Sequence, residues 1–352
     1  MLRERNGSSR VTTYVEALRE AVEQEMERDP TVVLFGLDVD DHKAIQGSTR
    51  GLLERFGAER VFTTPLSEDS MTGVAIGAAM AGMRPIHVHI RMDFLMLAMN
   101  QLINIAAKTH YMYGGAYKVP MVVRCIIGKS WGQGAQHSQG LHSMFMHVPG
   151  LTVAAPSNAH DAKGCMIAAI RDDNPVIFVE HRLLYSTEAN VPEESFVAEI
   201  GKGRLVAPGN DITLVGISSM VMECLRAREL LAEIGISAAV VDPVWLTPLD
   251  METIDASARS TGRVLVVDNA WTSCGASAEI VARLAESDRA PKMSRIGFAP
   301  TTCPTTPWLE EHFYPNPATI AAKASAMVAG GNWMPDRERA RMVHHMSFRG
   351  PF

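Results

Sequence analysis

Short apolar runs of strand length alternate with longer amphipathic segments, and this alternation limits the possible folds of the chain more than any other feature. Six runs in the first half predict strands: "TVVLFGLDV", "RVFTTP", "RPIHVHI", "PMVVRCIIG", "LTVAAP" and "NPVIFVEH". The segments between them, such as "YVEALREAVEQEMERD" and "AHDAKGCMIAAIRD", place apolar residues three and four apart, as amphipathic helices do. The pattern predicts the α/β class, a mostly parallel sheet with helices on both faces.

A polar and acidic interval divides this alternation into two units. Residues 186–202 contain "STEANVPEESF", which is typical of a linker. A 352-residue chain also exceeds one typical core, since single cores stop growing at roughly 250 to 300 residues. We therefore expect two three-layer domains, at residues 12–185 and 203–330. The tail at 331–352 has weak periodicity, and we expect it either to contact a partner or to be loosely ordered.

The composition disfavours several classes of partner. A net charge of -6 and a pI near 6.1 leave no basic surface for nucleic acid or for an anionic membrane. No stretch approaches the roughly 20 apolar residues of a membrane span, and "MLRERNGSSR" lacks the apolar core of a signal peptide, so we expect a cytoplasmic protein. Five scattered cysteines without a C-x-x-C pair argue against a disulfide framework and against a zinc site.

The stretch "PIHVHIRMDF", at residues 85–94, predicts a strand with one apolar face and one ionisable face. The ionisable face carries His87, His89, Arg91 and Asp93. Four interpretations compete: a solvated face, a zinc site through the two histidines, a salt-bridge network, and a contact between Arg91 and an anionic ligand. The planar fork of a guanidinium suits a carboxylate or a phosphate.

The stretch "RVFTTPLSEDSMTG" places Glu68 near the first turn of a predicted helix. The ordinary interpretation is structural, because the helix macrodipole favours an acidic residue there and Ser67 can act as the cap. The helix continues as "GVAIGAAMAG", whose small residues allow another backbone to approach closely. That backbone could belong to the same domain or to another subunit.

Several longer motifs carry a family resemblance. They are "TTPLSE", "IGAAMAGMRPI", "NQLINIAAKTHYM", "GAQHSQG", "HVPGLTVAAPSNAHDAKG", "AAIRDDNPVIFVEHRLLY", "LTPLDMETI" and "VDNAWTSCGASAEIV". In order and spacing they resemble the β chain of thiamine-diphosphate-dependent 2-oxoacid dehydrogenases across residues 12–328, and the chain is similar to the C-terminal half of a transketolase. The resemblance implies a pyrimidine-binding domain followed by a transketolase C-terminal domain.

The resemblance also implies roles for particular residues. Glu68 would hydrogen-bond the N1′ atom of the cofactor's aminopyrimidine, where a carboxyl group that shares a proton promotes the imino tautomer. His137, in "GAQHSQ", would handle the substrate carbonyl or the acyl acceptor, and Phe94 would lie against the pyrimidine. Leu97 stands near the cofactor where the family has a glutamine, and His142 matches no family histidine. We expect His142, like Arg91, to contact the substrate.

A potassium site and a partner chain complete the implied assembly. The residues matched to the potassium site are Met121, Ala169, Ile170, Asp172 and Asn174. Carbonyl and carboxylate oxygens suit a hard cation, although a helix end with an Asn-Pro turn would give the same sequence. The chain lacks the G-D-G motif that holds the diphosphate and Mg²⁺ in thiamine enzymes. An α-type partner would therefore supply that half of the cofactor site in an α₂β₂ assembly.

These observations predict the β subunit of a heteromeric thiamine-diphosphate enzyme that cleaves a C–C bond next to a carbonyl, decarboxylating a 2-oxo acid with acyl transfer. The alternatives are the C-terminal half of a split transketolase, which would transfer a two-carbon ketol unit from a sugar, and a non-catalytic scaffold subunit. The stretches "HIRMDF" and "RCIIGKSWGQGAQ" depart from the family pattern, the second by adding Lys129 and Trp131. We expect retained cofactor chemistry with a different substrate or acceptor.

Overall fold

The computed structural model describes residues 9–41, 43–129, 132–336, 338–340 and 342. Its strands are β1 (Ser9–Thr13), β2 (Val32–Gly36), β3 (Val61–Thr63), β4 (Arg84–His89), β5 (Val122–Ile127), β6 (Thr152–Ala154), β7 (Val176–His181), β8 (Glu188–Pro192), β9 (Arg204–Ala207), β10 (Ile212–Gly216), β11 (Ala238–Asp242), β12 (Trp245–Thr247), β13 (Arg263–Trp271) and β14 (Lys292–Phe298). Its α-helices are α1 (Tyr14–Arg28), α2 (Leu52–Phe56), α3 (Glu68–Met80), α4 (Met92–Leu95), α5 (Ala107–Met112), α6 (His142–Met146), α7 (Ala159–Arg171), α8 (Met220–Ala232), α9 (Met251–Thr261), α10 (Ala276–Ala285), α11 (Pro307–Phe313) and α12 (Pro317–Val328). A π-helical stretch, Gln101–Ala106, precedes α5.

The described residues form two compact units, and each unit is built from segments that are not contiguous in the sequence. The first takes residues within Met1–Ile126, Val148–Glu180 and Leu184–Ile200. The second takes those within Ile127–His147, His181–Leu183 and Gly201–Phe352. The segment Ile127–His147, which carries His137, therefore packs with the C-terminal unit although its sequence lies between strands of the first.

In the first unit six strands lie in the order β6-β7-β5-β4-β2-β3. β2 runs parallel to β3 and to β4, β4 to β5, and β6 to β7. Helix α1 begins where Thr13 Oγ1 accepts the amide of Glu16, and α7 begins with the matching cap from Asn158. The two helices are joined through the fully buried Glu25 carboxylate, which accepts from Arg171 at 2.6 and 3.0 Å.

In the second unit five strands lie in the order β14-β13-β10-β11-β9. β10 runs parallel to β11 and to β13, and β13 to β14, whereas β9 is antiparallel to β11 at the edge. Leu214, Val240 and Leu265 from these strands are fully buried in one apolar cluster with side chains of α8 and α12. The alternating pattern of the sequence therefore corresponds to a mostly parallel sheet in each unit.

The predicted linker and tail contain more structure than their composition suggests. Residues 188–192 form β8, which pairs antiparallel with β1. The Nζ atom of the buried Lys163 donates to the carbonyl oxygens of Pro192 and Glu193 at 2.7 and 2.9 Å, which holds this strand against α7. In the described part of the tail, Ala340 is buried in the core of the second unit and Arg339 pairs with Glu233 at 2.6 Å.

The period-two pattern of "PIHVHIRMDF" holds only for its first half. Residues 85–89 are buried on both faces, because β4 is an interior strand between β2 and β5. The strand ends at His89, Arg91 is the residue before α4, and Asp93 lies inside that helix. The prediction of one ionisable strand face was therefore wrong beyond His89.

A buried ion pair joins the neighbouring strands β5 and β7. Arg124 Nε and Nη2 donate to the two carboxylate oxygens of Glu180 at 2.6 and 3.0 Å, and both side chains are almost fully buried. The hydroxyl of Tyr185 donates to Glu180 Oε2 at 2.6 Å. Burial alone would lower the pKa of Arg124, but the negative charge of Glu180 and its hydrogen bonds raise that pKa above its usual value, so the guanidinium stays charged. The pair thus compensates two charges that water cannot reach.

Replacing one partner of this pair should destabilise the chain strongly. We expect Glu180→Gln to lower the free energy of unfolding by about 3 to 5 kcal/mol, because the buried Arg124 charge would lose its counterion. Urea denaturation followed by circular dichroism measures this change. Glu233→Gln, which removes an exposed ion pair with Arg339, is the matched control and should cost less than about 1 kcal/mol. A Glu180→Gln change no larger than the control would refute the expectation.

Candidate active site

Glu68 is the first residue of α3, directly after the turn that follows β3. Its side chain is 9% exposed, and the described residues place no hydrogen-bond donor on its carboxylate. Ser67 precedes the helix but makes no side-chain cap bond, and its hydroxyl instead lies 3.2 Å from Asp69 Oδ1. The carboxylate of Glu68 is therefore nearly buried, held by a helix end and available to a ligand.

The chain after β4 brings further predicted residues to the same edge of the sheet, because β3 and β4 both run parallel to β2 and end on that edge. Thr72, one turn after Glu68, lies with its Oγ1 3.4 Å from His89 Nε2, which ties α3 to the end of β4. Phe94 is 36% exposed and Leu97 is 63% exposed. These two apolar side chains are accessible, as a surface for an aromatic ring would require.

Arg91 differs from the expectation for a substrate contact. Its side chain is only 4% exposed, and its carbonyl accepts the amide of Phe94 at 3.3 Å at the start of α4. A guanidinium enclosed by its own chain has almost no surface to offer to a substrate. The burial favours the alternative in which Arg91 takes part in an internal polar network.

The segment with His137 is anchored in the second unit by close backbone contacts. Gly128 has a φ of +93°, and a Cβ there would overlap the imidazole of His181. Gly140 lies so near the carbonyl oxygen of Asn269 that a Cβ would overlap it. His137 follows a short 3-10 turn, with its amide donating to the Gly134 carbonyl at 3.3 Å. In "GKSWGQGAQHSQG", Gly128 and Gly140 therefore stand where neighbouring atoms leave no room for a side chain.

His142 is placed differently from the prediction of a substrate contact. It is the first residue of α6 and is 0% exposed. Its Nε2 lies 3.0 Å from Asp268 Oδ1, and Asp268 Oδ2 accepts the amide of Ser277 at 3.0 Å at the start of α10. No substrate can reach this imidazole in the described conformation. Asp268 was missed by the sequence analysis, although a lone acidic residue near the end of a buried strand was the available signal.

The five residues matched to a potassium site lie around the end of α7 and just before β5: Met121, Ala169, Ile170, Asp172 and Asn174. Arg84 Nη1 donates to the carbonyl oxygens of Ile170 and Asp172 at 2.9 and 2.8 Å. The Asp172 carboxylate accepts from the amide and the side chain of Asn174 at 2.8 and 3.0 Å. The donor set is the oxygen-rich kind that a hard cation binds, and a guanidinium already satisfies part of it.

Three buried histidines are held neutral. Burial lowers the pKa of His87 to about 4, against a weak opposing hydrogen bond with the Phe35 carbonyl at 3.4 Å. Burial and the neighbouring His87 lower the pKa of His89 well below its usual value. Burial lowers the pKa of His181 to about 3, with help from the positive charges of Lys129 and Arg182. None of the described residues forms a cluster of three or more His, Cys, Asp or Glu side chains suited to a metal ion.

Comparison with known proteins connects these residues to a family. The transketolase pyrimidine-binding domain model matches residues 11–188, and the transketolase C-terminal domain model matches residues 201–320. The subunit beta of acetoin:2,6-dichlorophenolindophenol oxidoreductase from Cupriavidus necator is 40% identical over 328 residues, which cover 90% of this chain and 97% of that protein. The chain belongs to the E1-type β-subunit family with transketolase-like domains. It is a family of thiamine-diphosphate enzymes, as the motifs implied.

Other members of the E1-type β-subunit family are equally similar. The pyruvate dehydrogenase E1 component subunit beta of Chaetosphaeridium globosum is 43% identical over 271 residues, covering 77% of this chain and 83% of that protein. The human mitochondrial counterpart is 41% identical over 278 residues, which cover 78% of this chain and 77% of that protein. By name, the acetoin protein is a subunit of an oxidoreductase, and the other two are components of pyruvate dehydrogenase.

Solved structures agree with the fold of an E1-type β subunit. A split-gene transketolase, in an inactive beta4 tetramer, has a TM-score of 0.75 and 20% identity over 92% of this chain and 99% of that chain. A transketolase mutant from Pichia stipitis has a TM-score of 0.66 and 16% identity, and the match covers 93% of this chain and 48% of that chain. At such identities the likeness shows the fold alone, and it confirms the predicted fold class. No helix among the described residues is long and apolar enough to cross a bilayer.

The depressed pKa values predict acid sensitivity. Because the pKa of His87 is about 4 in the folded chain and near 6.5 in the unfolded chain, the unfolded chain binds more protons between these values. The free energy of unfolding should therefore fall as the pH is lowered from about 6.5 to 4, by roughly 1.4 kcal/mol per unit from this histidine. Urea denaturation across this pH range measures the slope.

His87→Asn should reduce the slope of the unfolding free energy against pH by about 1.4 kcal/mol per pH unit, which corresponds to one proton. The reason is that the amide cannot titrate, yet it can still donate to the Phe35 carbonyl. His110, which is exposed, supplies the matched control, and His110→Asn should leave the slope as in the wild type. Equal slopes for His87→Asn and the wild type would refute the assignment.

Proposed function

We propose that this chain is the β subunit of a heteromeric thiamine-diphosphate enzyme that cleaves the C–C bond next to the carbonyl of a small 2-oxo compound and passes the acyl unit to an acceptor. The observation that carries the proposal is Glu68, a nearly buried carboxylate at the start of α3 without a hydrogen-bond donor among the described residues. The relatives named above, which act on acetoin or belong to pyruvate dehydrogenase, support the reaction class.

Glu68 would hold a proton at the N1′ atom of the bound aminopyrimidine. Thiamine diphosphate supplies a carbon nucleophile and an electron sink for the bond cleavage. Phe94 and Leu97 would cover the ring with apolar surface, and Thr72 with His89 would keep α3 in place beneath Glu68. His137, which is partly exposed, would exchange a proton with the substrate oxygen or the acceptor.

A partner of the α type would hold the diphosphate and its Mg²⁺, because this chain has no G-D-G motif. Two surfaces support such a partner. Gly73 and Gly77 have no described atom within 4 Å of an added Cβ, so that face of α3 is open to another backbone. Tyr111, Met112 and Tyr113 expose apolar side chains around the end of α5, which is typical of an interaction surface. We propose an α₂β₂ assembly and a cytoplasmic location.

The donor can be a 2-oxo acid or an acyloin, since the relatives include both pyruvate and acetoin enzymes. The second candidate is a split transketolase half acting on ketose phosphates. The likeness to a split-gene transketolase at 20% identity shows a shared fold and does not distinguish the two candidates. The identities near 40% favour the first candidate. A non-catalytic scaffold role is disfavoured by the availability of Glu68.

Glu68→Gln should abolish most of the activity without unfolding the chain. In the complex reconstituted with an α-type subunit, thiamine diphosphate and Mg²⁺, we expect kcat to fall by about 100-fold or more, because an amide cannot exchange the N1′ proton. Turnover of pyruvate, branched 2-oxo acids, acetoin and ketose phosphates is measured together with the iminopyrimidine circular-dichroism band, which should disappear.

Asp69→Asn is the matched control, because Asp69 lies next to Glu68 in the first turn and is exposed. It should keep kcat within about threefold of the wild type. A Glu68→Gln complex with near-normal kcat and an intact band would refute the cofactor assignment. A wild-type complex that turns over no donor would refute the enzymatic role.

Potassium at the end of α7 is a separate proposal, supported by the oxygen donors of Ile170 and Asp172 beside Arg84. The ion would brace the turn that leads into β7. Replacing KCl by NaCl at equal ionic strength should lower the melting temperature by about 1 to 2 °C, as expected for roughly 1 kcal/mol in a chain of 352 residues. Equal melting temperatures in both salts would refute the potassium site and mean that the hydrogen bonds from Arg84 satisfy these carbonyl oxygens without an ion.

A further inference from the structure

The segment Ile127–His147 belongs to the second unit, and the pair between His142 and Asp268 is a fully buried polar contact within that unit. His142 begins α6, five positions after His137, and Asp268 lies inside β13. β13 is an interior strand between β14 and β10. The segment that carries the proposed reactive histidine is thus tied to a rigid strand of the C-terminal unit.

The carboxylate of Asp268 is held from two sides. Its Oδ1 lies 3.0 Å from His142 Nε2, and its Oδ2 accepts the Ser277 amide at 3.0 Å. That amide belongs to the first turn of α10, where the helix dipole also favours a negative charge. The carboxylate orientation is therefore set by the sheet and by α10 before it meets His142.

This contact orients the imidazole of His142. A carboxylate only accepts hydrogen bonds, so Nε2 carries the hydrogen of this contact. Nδ1 is buried and no described residue hydrogen-bonds it. A buried polar pair adds little net stability compared with apolar side chains of the same size, whereas it does restrict orientation. The pair is better suited to fixing a position than to stabilising the fold.

A second close contact between the segment and β13 lies next to the His142–Asp268 pair. Gly140 approaches the carbonyl oxygen of Asn269, the residue after Asp268, too closely for any side chain. Two consecutive residues of β13 therefore hold Gly140 and His142, three and five positions after His137. Little freedom is left for the backbone that sets the direction of the His137 side chain.

We propose that Asp268 is a positioning residue: through His142 it holds the segment that carries His137 and thereby sets where the His137 imidazole meets the substrate. This inference rests on the function proposed above. It assigns to the C-terminal unit the positioning of His137. Asp268 acts without touching substrate or cofactor.

Asp268→Asn tests the proposal in the reconstituted complex with thiamine diphosphate and Mg²⁺. The asparagine can accept the Ser277 amide only by turning its NH₂ group toward His142, which opposes the Nε2–H tautomer. We expect kcat to fall about 100-fold, the order of loss caused by a displacement of about 1 Å, with KM changed by less than threefold. The iminopyrimidine band, which depends on Glu68, should persist, and the melting temperature should stay within a few degrees.

The double variant separates positioning from simple destabilisation. His142→Gln should lose kcat to the same extent as Asp268→Asn, and the double variant should be no worse than either single variant, because the two residues act as one unit. Additive losses in kcat would overturn the proposal. It would also be overturned if the loss of kcat in each variant matched the fraction of that variant that is unfolded.

A chemical readout tests the position of His137 without activity. Diethyl pyrocarbonate modification of the intact complex, followed by peptide mass spectrometry, should modify His137 at least threefold faster in Asp268→Asn than in the wild type. Asp211→Asn is the matched control, because Asp211 also accepts a backbone amide, that of Ser237 at 2.7 Å, but lies outside the segment. It should change neither the modification rate nor kcat.

The outcomes are distinct for the two proposals. A wild-type complex without turnover and without the iminopyrimidine band overturns the proposed function. An Asp268→Asn complex with wild-type kcat and an unchanged His137 modification rate overturns the positioning role. A faster modification of His137 together with a kcat loss and an intact band supports it.

Discussion

The buried pair of Arg124 and Glu180 is the constraint on which the first unit depends. It joins β5 and β7 at the centre of the sheet, with two hydrogen bonds between the charged groups and a third from Tyr185. Because neither charge has access to water, the two strands can adopt only the alignment in which both hydrogen bonds form. β5 leads directly into the segment with His137, and β7 ends at His181, where the chain enters the second unit again. The pair therefore fixes the strand from which the segment with His137 departs.

Most other buried charges are compensated within the chain. Glu25 accepts from Arg171, Lys163 donates to two carbonyl oxygens, and burial keeps His87 uncharged. Glu68 contrasts with them, because it is nearly buried and receives no hydrogen bond from the described residues. An ionisable group left in this state has an energetic cost that a bound ligand can remove. This contrast is the physical reason to regard Glu68 as a cofactor contact.

Much of the fold could be predicted from the sequence because local patterns report it. A central parallel strand such as "TVVLFG" is apolar throughout, and α1 shows the spacing of a half-buried helix, so both were recognisable. The same local patterns failed for "PIHVHIRMDF", because two histidines can be buried when desolvation keeps them neutral, and hydropathy alone does not show this. β8 was missed because its polar residues are held by β1 and by Lys163, which are distant in sequence.

The sequence by itself determined the alternating α/β architecture, the family and the residue types suited to the cofactor, since these depend on local periodicity and on motifs with contiguous spacing. Only the tertiary structure decided which of those residues meet. It enclosed His142 beside Asp268, 126 positions later in the chain, and placed Arg84 against the carbonyl oxygens of Ile170 and Asp172. It also placed the His137 segment with the C-terminal unit. Such pairings arise from long-range packing and desolvation, which no short stretch of sequence encodes.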